Sequence, residues 1–161
     1  MASEVTALIL GSLARELKAY LRDVEDDARQ ILDRDGINYT EGTRTGLFHD
    51  AEVVGYEVEG VVGSTGPGAL FAHEGRGKNK KMPPDAVIRQ WLRVKKGVPE
   101  GRELDRATFL VRRAIGRRGI RGKKFLQRPL DLREPTKLSR LRAAVLRDLE
   151  GVDLFPNLRA A

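Results

Sequence analysis

From Ser3 to Arg34 the chain holds an amphipathic pattern with no proline to break it. Val5, Leu8, Ile9, Leu13, Leu17, Leu21, Val24, Ala28, Ile31 and Leu32 recur at spacings of three and four, the period of one helical face. Arg15, Lys18, Arg22, Asp26 and Arg29 fall on the other side. Asp35-Gly36 supplies a stop, since glycine suits the left-handed position past a helix end. Such a helix is a rod of about 45 Å at about 1.5 Å per residue. A chain of 161 residues that folds as one domain has difficulty covering that rod alone. Part of its apolar stripe is therefore expected to face a second copy.

The remaining elements are shorter. Ile37 to Gly46 is polar and glycine-bearing and reads as a loop. His49 to Val54 and Glu57 to Ser64 flank Gly55-Tyr56, a plausible tight turn between two strands. Tyr56, Val58 and Val62 fall on one face of the second strand, with Glu57, Glu59 and Val61 on the other. That alternation suits a half-buried antiparallel hairpin. A glycine-rich break, Gly63 to Gly68, precedes the short apolar piece Ala69 to His73. Gly75 to Lys81 reads as a flexible basic loop. Pro83-Pro84 opens a helix, where proline is tolerated, with Val87, Ile88, Trp91 and Leu92 as its apolar face and Gly97 as its end. A third helix runs from Glu103 to Arg118 with Leu104, Ala107, Val111, Ala114 and Ile115 as its stripe, ended by Gly119 and Gly122. Phe125, Leu126 and Leu130 form an apolar patch around Pro129, and a last helix spans Pro135 to Glu150.

These elements predict an α+β fold: a long N-terminal helix and further helices packed on a small antiparallel β-sheet, its hairpin at about 49–64. Residues 1–150 form a single domain, and 151–161 a C-terminal tail docked at most by Leu154 and Phe155. No stretch approaches the roughly 20 apolar residues of a membrane span. The opening MASEVTALIL lacks a positive start and a long apolar run, so no signal peptide and a cytoplasmic origin are expected. The absence of cysteine excludes disulfides and thiolate chemistry.

Catalysis is not expected. The two histidines, His49 and His73, each adjoin an acid, Asp50 and Glu74, without the spacing of a metal-binding pair. Gly63 to Gly68 lacks the Lys-Ser/Thr ending of a phosphate loop and fails dinucleotide spacing. Glu25, Asp26 and Asp27 lie on the first helix, where a solvated face explains them. No cofactor and no metal are predicted.

Charge is unevenly divided. Residues 1–60 carry 13 acids and 6 bases, and residues 61–161 carry 10 acids and 24 bases, balances of −7 and +14. Such asymmetry points to a polyanionic partner or to head-to-tail contact between copies. Arg106 to Leu130 contains nine basic residues and no acid, a pattern able to bind phosphate backbones through counterion release. Within it, Gly116-Arg-Arg-Gly119 is similar to the GxxG loop of KH modules, which clamps single-stranded RNA. A basic nucleic-acid-binding module, for RNA or non-specific DNA, is therefore the alternative reading.

The segments in order resemble the tail-completion, or neck, proteins of long-tailed bacteriophages, a family of head–tail joining and minor tail components. The resemblance rests on Arg44-Thr45-Gly46, Val62-Gly63, Phe71-Ala72-His73-Glu74-Gly75, Met82-Pro83-Pro84, Trp91, the basic stretch Ala114 to Gly122, and Lys124-Phe125-Leu126 with Pro129-Leu130. It covers about Arg44 to Leu132, and the order of the motifs carries it. Phe71 replaces the family's usual tyrosine, and His73 is a departure before Glu74. The resemblance implies structural roles for Gly46, Gly63, Ala72, Glu74, Gly75, Pro83, Trp91, Phe125, Leu126 and Pro129. It also implies a homo-oligomeric ring, expected to be hexameric, at the head–tail junction of a virion assembled in the host cytoplasm. Connector or stopper proteins and tail-terminator or tail-tube proteins would be its partners, with genome DNA passing through the lumen and no membrane involved. The interface or passage lining is expected at Arg76, Lys78, Lys80, Lys81, Arg112, Arg113, Arg117, Arg118, Arg121, Lys123 and Lys124.

Overall fold

A computed structural model describes residues 2–34, 41–66 and 68–150. The long rod is present as α1 (Ala2–Arg34). Tyr20, Leu21, Val24, Ala28 and Leu32 form its buried stripe, a leucine or valine contributing about 1.5–3 kcal/mol when fully buried. Val5, Leu8, Ile9 and Leu13, nearer the amino end, stay half-buried. The rod is thus sealed over its second half and only partly covered over its first.

Two elements cover it. A β-hairpin of β1 (Leu47–Val54) and β2 (Glu57–Ser64) turns at Gly55-Tyr56, as the alternation predicts, and starts two residues earlier than expected. Its register pairs His49 with Val62, Ala51 with Gly60 and Val53 with Val58 on the face toward α1. Ala51 and Val62 pack on Tyr20, Leu21 and Val24. At Gly60 an added Cβ would lie 2.7 Å from Leu21 Cδ1 and 2.8 Å from Leu17 Cδ2. Glycine there lets the helix sit down on the strand. A short helix precedes the hairpin, α2 (Glu41–Thr45), within the stretch read as a loop; the first part of that stretch lies outside the described residues.

The second cover is the last helix. It begins eight residues earlier than expected and runs through both prolines. Pro129 occupies the first turn, where a backbone N–H has no intrahelical partner, so its lack of one costs nothing there. Pro135, inside the helix, removes one rung of the hydrogen-bond ladder, and the flanking turns continue. Five further elements lie between β2 and this helix, α6 (Gln127–Leu149): α3 (Ala69–Glu74), β3 (Gly75–Arg76), α4 (Asp85–Lys96), α5 (Arg102–Arg118) and β4 (Ile120–Arg121).

Helix α6 runs antiparallel to α1, and charge sets the pairing. Arg133 Nε lies 2.7 Å from Asp27, Arg140 reaches Asp23 at 2.8 Å and Glu16 at 2.9 Å, and Asp148 meets Arg15 at 2.6 Å. Asp27 and Asp23 lead the causes that raise the Arg133 and Arg140 pKa values. Single partly exposed pairs contribute little, roughly 0–1 kcal/mol, but this series fixes the register of the two helices. It also ties three of the thirteen acids of residues 1–60, Glu16, Asp23 and Asp27, to α6 of the same chain.

Helices α4 and α5 form a hairpin with a core of their own, Ile88, Leu92 and Leu104, flanked by Trp91, Val98, Ala107, Val111 and Ile115. Gly97, left-handed at φ 62°, ends α4 by donating to carbonyls of Leu92 and Arg93. The α+β class holds: one layer of α1 and α6 with a small antiparallel sheet, and a helical hairpin beside it.

Candidate assembly surfaces

The segment read as a flexible basic loop begins as a strand. β3 pairs antiparallel with β4, Gly75 opposite Arg121 and Arg76 opposite Ile120. Lys80 N–H donates to the Gly116 carbonyl at 3.1 Å, and the Lys123 and Lys124 amides donate to Ala72 and His73 carbonyls at 2.9 and 3.0 Å. Three backbone segments therefore cross in contact. A Cβ at Gly119 would stand 2.2 Å from the Arg76 carbonyl oxygen, and one at Gly75 2.3 Å from Gly122 N. This crossing fastens the helical hairpin to the rest of the chain.

The crossing also corrects the KH-like reading. Gly116, Arg117 and Arg118 lie in the last turn of α5, not in a loop. Gly116 and Gly119 are glycines because Met82 and the Arg76–Gly77 backbone lie against them. Their presence is explained without a bound nucleotide.

The residues carried over from the family resemblance occupy packing points of the same frame. Phe125 is fully buried beside Ala28, Leu32, Leu47 and Ala69, with Ala72 and Leu126 against that cluster. Pro83 and Pro129 are buried. The Gly46 carbonyl accepts from Thr65 N–H at 2.9 Å, and the Phe48 ring lies over Gly63. Glu74 pairs with Lys124, a hydrogen bond that holds its carboxyl below the usual range. Lys96 Nζ sits 5.7 Å from the Trp91 ring centre.

The expected interface residues separate into two groups. Arg112 is bound inside the fold, donating from Nε to the Pro83 carbonyl at 2.8 Å and from Nη1 to Asp85 at 2.8 Å. Arg76 donates to the Lys81 carbonyl, Lys124 is taken by Glu74, and Lys123 is half-buried. These four are structural brackets. Lys78, Lys80, Lys81, Arg113, Arg117, Arg118 and Arg121 are exposed. The β3–β4 ladder brings two basic sequence stretches, 78–81 and 117–121, to one knuckle. Neither stretch contains an acid.

Two further faces were not evident from charge runs. The outer side of α5 presents Arg102, Arg106, Phe109, Leu110, Arg113 and Arg117, opposite Leu104 and Thr108. Spacings of four and seven were the available signal. The outward face of the β-hairpin presents Phe48, Glu52, Val54, Glu57, Glu59 and Val61, with Glu52 directly opposite Glu59.

The two histidines make separate contacts. His49 Nδ1 meets buried Glu25 at 2.6 Å under the hairpin. His73 stacks edge-on against Phe125, with ring centres 5.3 Å apart. Among the described residues no group of three or more His, Cys, Asp or Glu side chains is placed to hold a metal ion. No helix among them is long and apolar enough to cross a membrane. No protein-family model, curated protein or solved structure matches this chain.

Proposed function

We propose that this chain is a structural subunit of a tailed-phage virion, assembling as a closed ring at the head–tail junction, where it joins connector to tail and continues the DNA channel. The observation that carries the self-assembly half is the presence, on one chain, of two uncovered apolar faces of opposite charge on different elements. A heterologous contact between two such faces closes into a ring when its rotation permits. The station at the head–tail junction rests on the ordered motifs from Arg44 to Leu132. The basic knuckle of Lys78, Lys80, Lys81, Arg118 and Arg121 suits a wall facing DNA, because contacts of this kind attract phosphate without reading sequence.

Light scattering at two salt concentrations, with and without duplex DNA, tests the proposal. A mass that is a fixed multiple of the 17.9 kDa chain, formed without DNA, is the expected result. A monomer that binds DNA or RNA with steep salt dependence contradicts it and favours the nucleic-acid module. A coding sequence lying between portal or capsid genes and a tail-tube gene would support the proposed station.

A further inference from the structure

Helix α5 offers an apolar pair inside a frame of arginines. Phe109 and Leu110 are each 52% exposed, and Arg102, Arg106, Arg113 and Arg117 surround them on the same side. None of the four arginines has a carboxylate partner among the described residues. From Arg102 to Arg117 this face is about 22 Å long at about 1.5 Å per residue.

The outward face of the β-hairpin is its counterpart. From Phe48 to Val54 it runs about 20 Å at about 3.3 Å per residue. Phe48, Val54 and Val61 are 40–50% exposed on it. Glu52 and Glu59 are register partners on one rung, and like charges placed directly opposite each other oppose pairing. The nearby cation, Lys18, is committed to Asp50 at 2.8 Å, so no positive group of the same chain relieves them among the described residues. Asp50, Glu52, Glu59 and Val61, with Ala51 and Gly60, line a shallow hollow of about 140 Å³. A guanidinium entering this hollow from outside would meet two carboxylates at once, and its five N–H donors suffice for both.

We infer that α5 of one copy lies along the outward face of the β1–β2 hairpin of the next, with its arginine-framed side against the Glu52–Glu59 rung and the Phe109–Leu110 pair against Val54 or Val61 beside that rung. This rests on the self-assembly half of the proposed function and names the faces that carry it. Matching length, opposite charge and exposed apolar centres favour a second copy as the occupant. A nucleic acid on α5 would bring phosphates against Phe109 and Leu110 and would leave the glutamate pair uncovered. The two faces lie on separate elements, so each copy can use both at once and the contact propagates around a ring.

Sedimentation velocity on the full chain tests the assignment with two charge-reversed variants, Glu52→Arg/Glu59→Arg and Arg106→Glu/Arg113→Glu. All four positions are solvent-exposed, and circular dichroism checks that each variant is folded. Each variant alone is expected to self-associate at least about tenfold more weakly than the unaltered chain, because like charges now meet across the contact. Mixing the two is expected to restore association, since each variant then presents to the other a face of opposite sign. If the unaltered chain associates and both variants associate equally well, the face assignment is wrong and the assembly proposal survives. An unaltered chain that stays monomeric at every concentration overturns both. Duplex DNA binding that is lost in Arg106→Glu/Arg113→Glu, with self-association unchanged, assigns α5 to nucleic acid and overturns the inference.

Discussion

Beneath the hairpin, His49 Nδ1 stands 2.6 Å from Glu25 Oε2 and ties strand β1 to the middle of α1. Glu25 is only 4% exposed, and its other oxygen is met by Arg29 one turn along the helix. A buried carboxylate needs such partners, because desolvation without compensation is costly. The pair therefore acts as a polar pin within an otherwise aliphatic contact.

Removing the pin has a defined consequence. His49→Ala leaves one carboxylate oxygen buried without its partner, and is expected to destabilise the chain by about 1–3 kcal/mol. His49→Gln keeps a donor near the same place and is expected to lose less. Chemical denaturation at a fixed chain concentration measures both, since assembly would otherwise shift apparent stability.

Two glycines separate backbone conformation from close approach. Gly97 has φ 62° with open space around its missing Cβ, whereas Gly119 has φ 72° and a carbonyl oxygen 2.2 Å from where that Cβ would be. Gly97→Ala should cost about 1–2 kcal/mol, the left-handed penalty alone. Gly119→Ala should cost more, because the β3–β4 crossing must also part. Thermal unfolding gives the ranking, and faster amide exchange at Arg76 and Ile120 in the second variant locates the damage.

The Tyr20 hydroxyl is buried with no hydrogen-bond partner, and burial raises its pKa. A hydroxyl in that position is a net cost, so Tyr20→Phe should stabilise the chain by about 1 kcal/mol. The ring contact with the Arg140 guanidinium, 5.8 Å from the ring centre, is retained by phenylalanine. A rise in melting temperature is the expected readout.

Burial holds the His73 imidazole below its ordinary pKa; Glu74 opposes this and Lys124 adds to it. The folded chain therefore takes up this proton at lower pH than the unfolded chain. The contribution to stability is fully present above the unfolded value of about 6.5 and is lost as pH falls through the folded-state pKa. His73→Gln should flatten stability against pH over that window. Nuclear magnetic resonance titration of the His73 ring should give a midpoint below the free value; a midpoint at or above it contradicts the burial.

Local pattern made part of this molecule legible in its sequence. The three- and four-residue spacing of α1 ends within a residue of the observed helix. Alternation around Gly55-Tyr56 places the hairpin, and Pro84, Gly97 and Gly119 punctuate α4 and α5. The β3–β4 crossing was not legible, because two-residue strands have no alternation and their glycines answer to segments some 45 residues away. The start of the last helix was not legible at Pro135, because the first-turn position of Pro129 and the turns flanking Pro135 absorb what proline removes. Charge sums along the chain could not show that Arg133 and Arg140 turn inward to Asp23 and Asp27, while Glu52, Glu59, Arg106 and Arg113 turn out.

Negative-stain electron microscopy of the purified full chain, across a range of concentrations and without nucleic acid, bears on the assembly itself. Closed rings of one subunit number with a stain-filled opening are the expected particles. Fields containing only particles the size of a single chain, at every concentration, would contradict a ring-forming subunit.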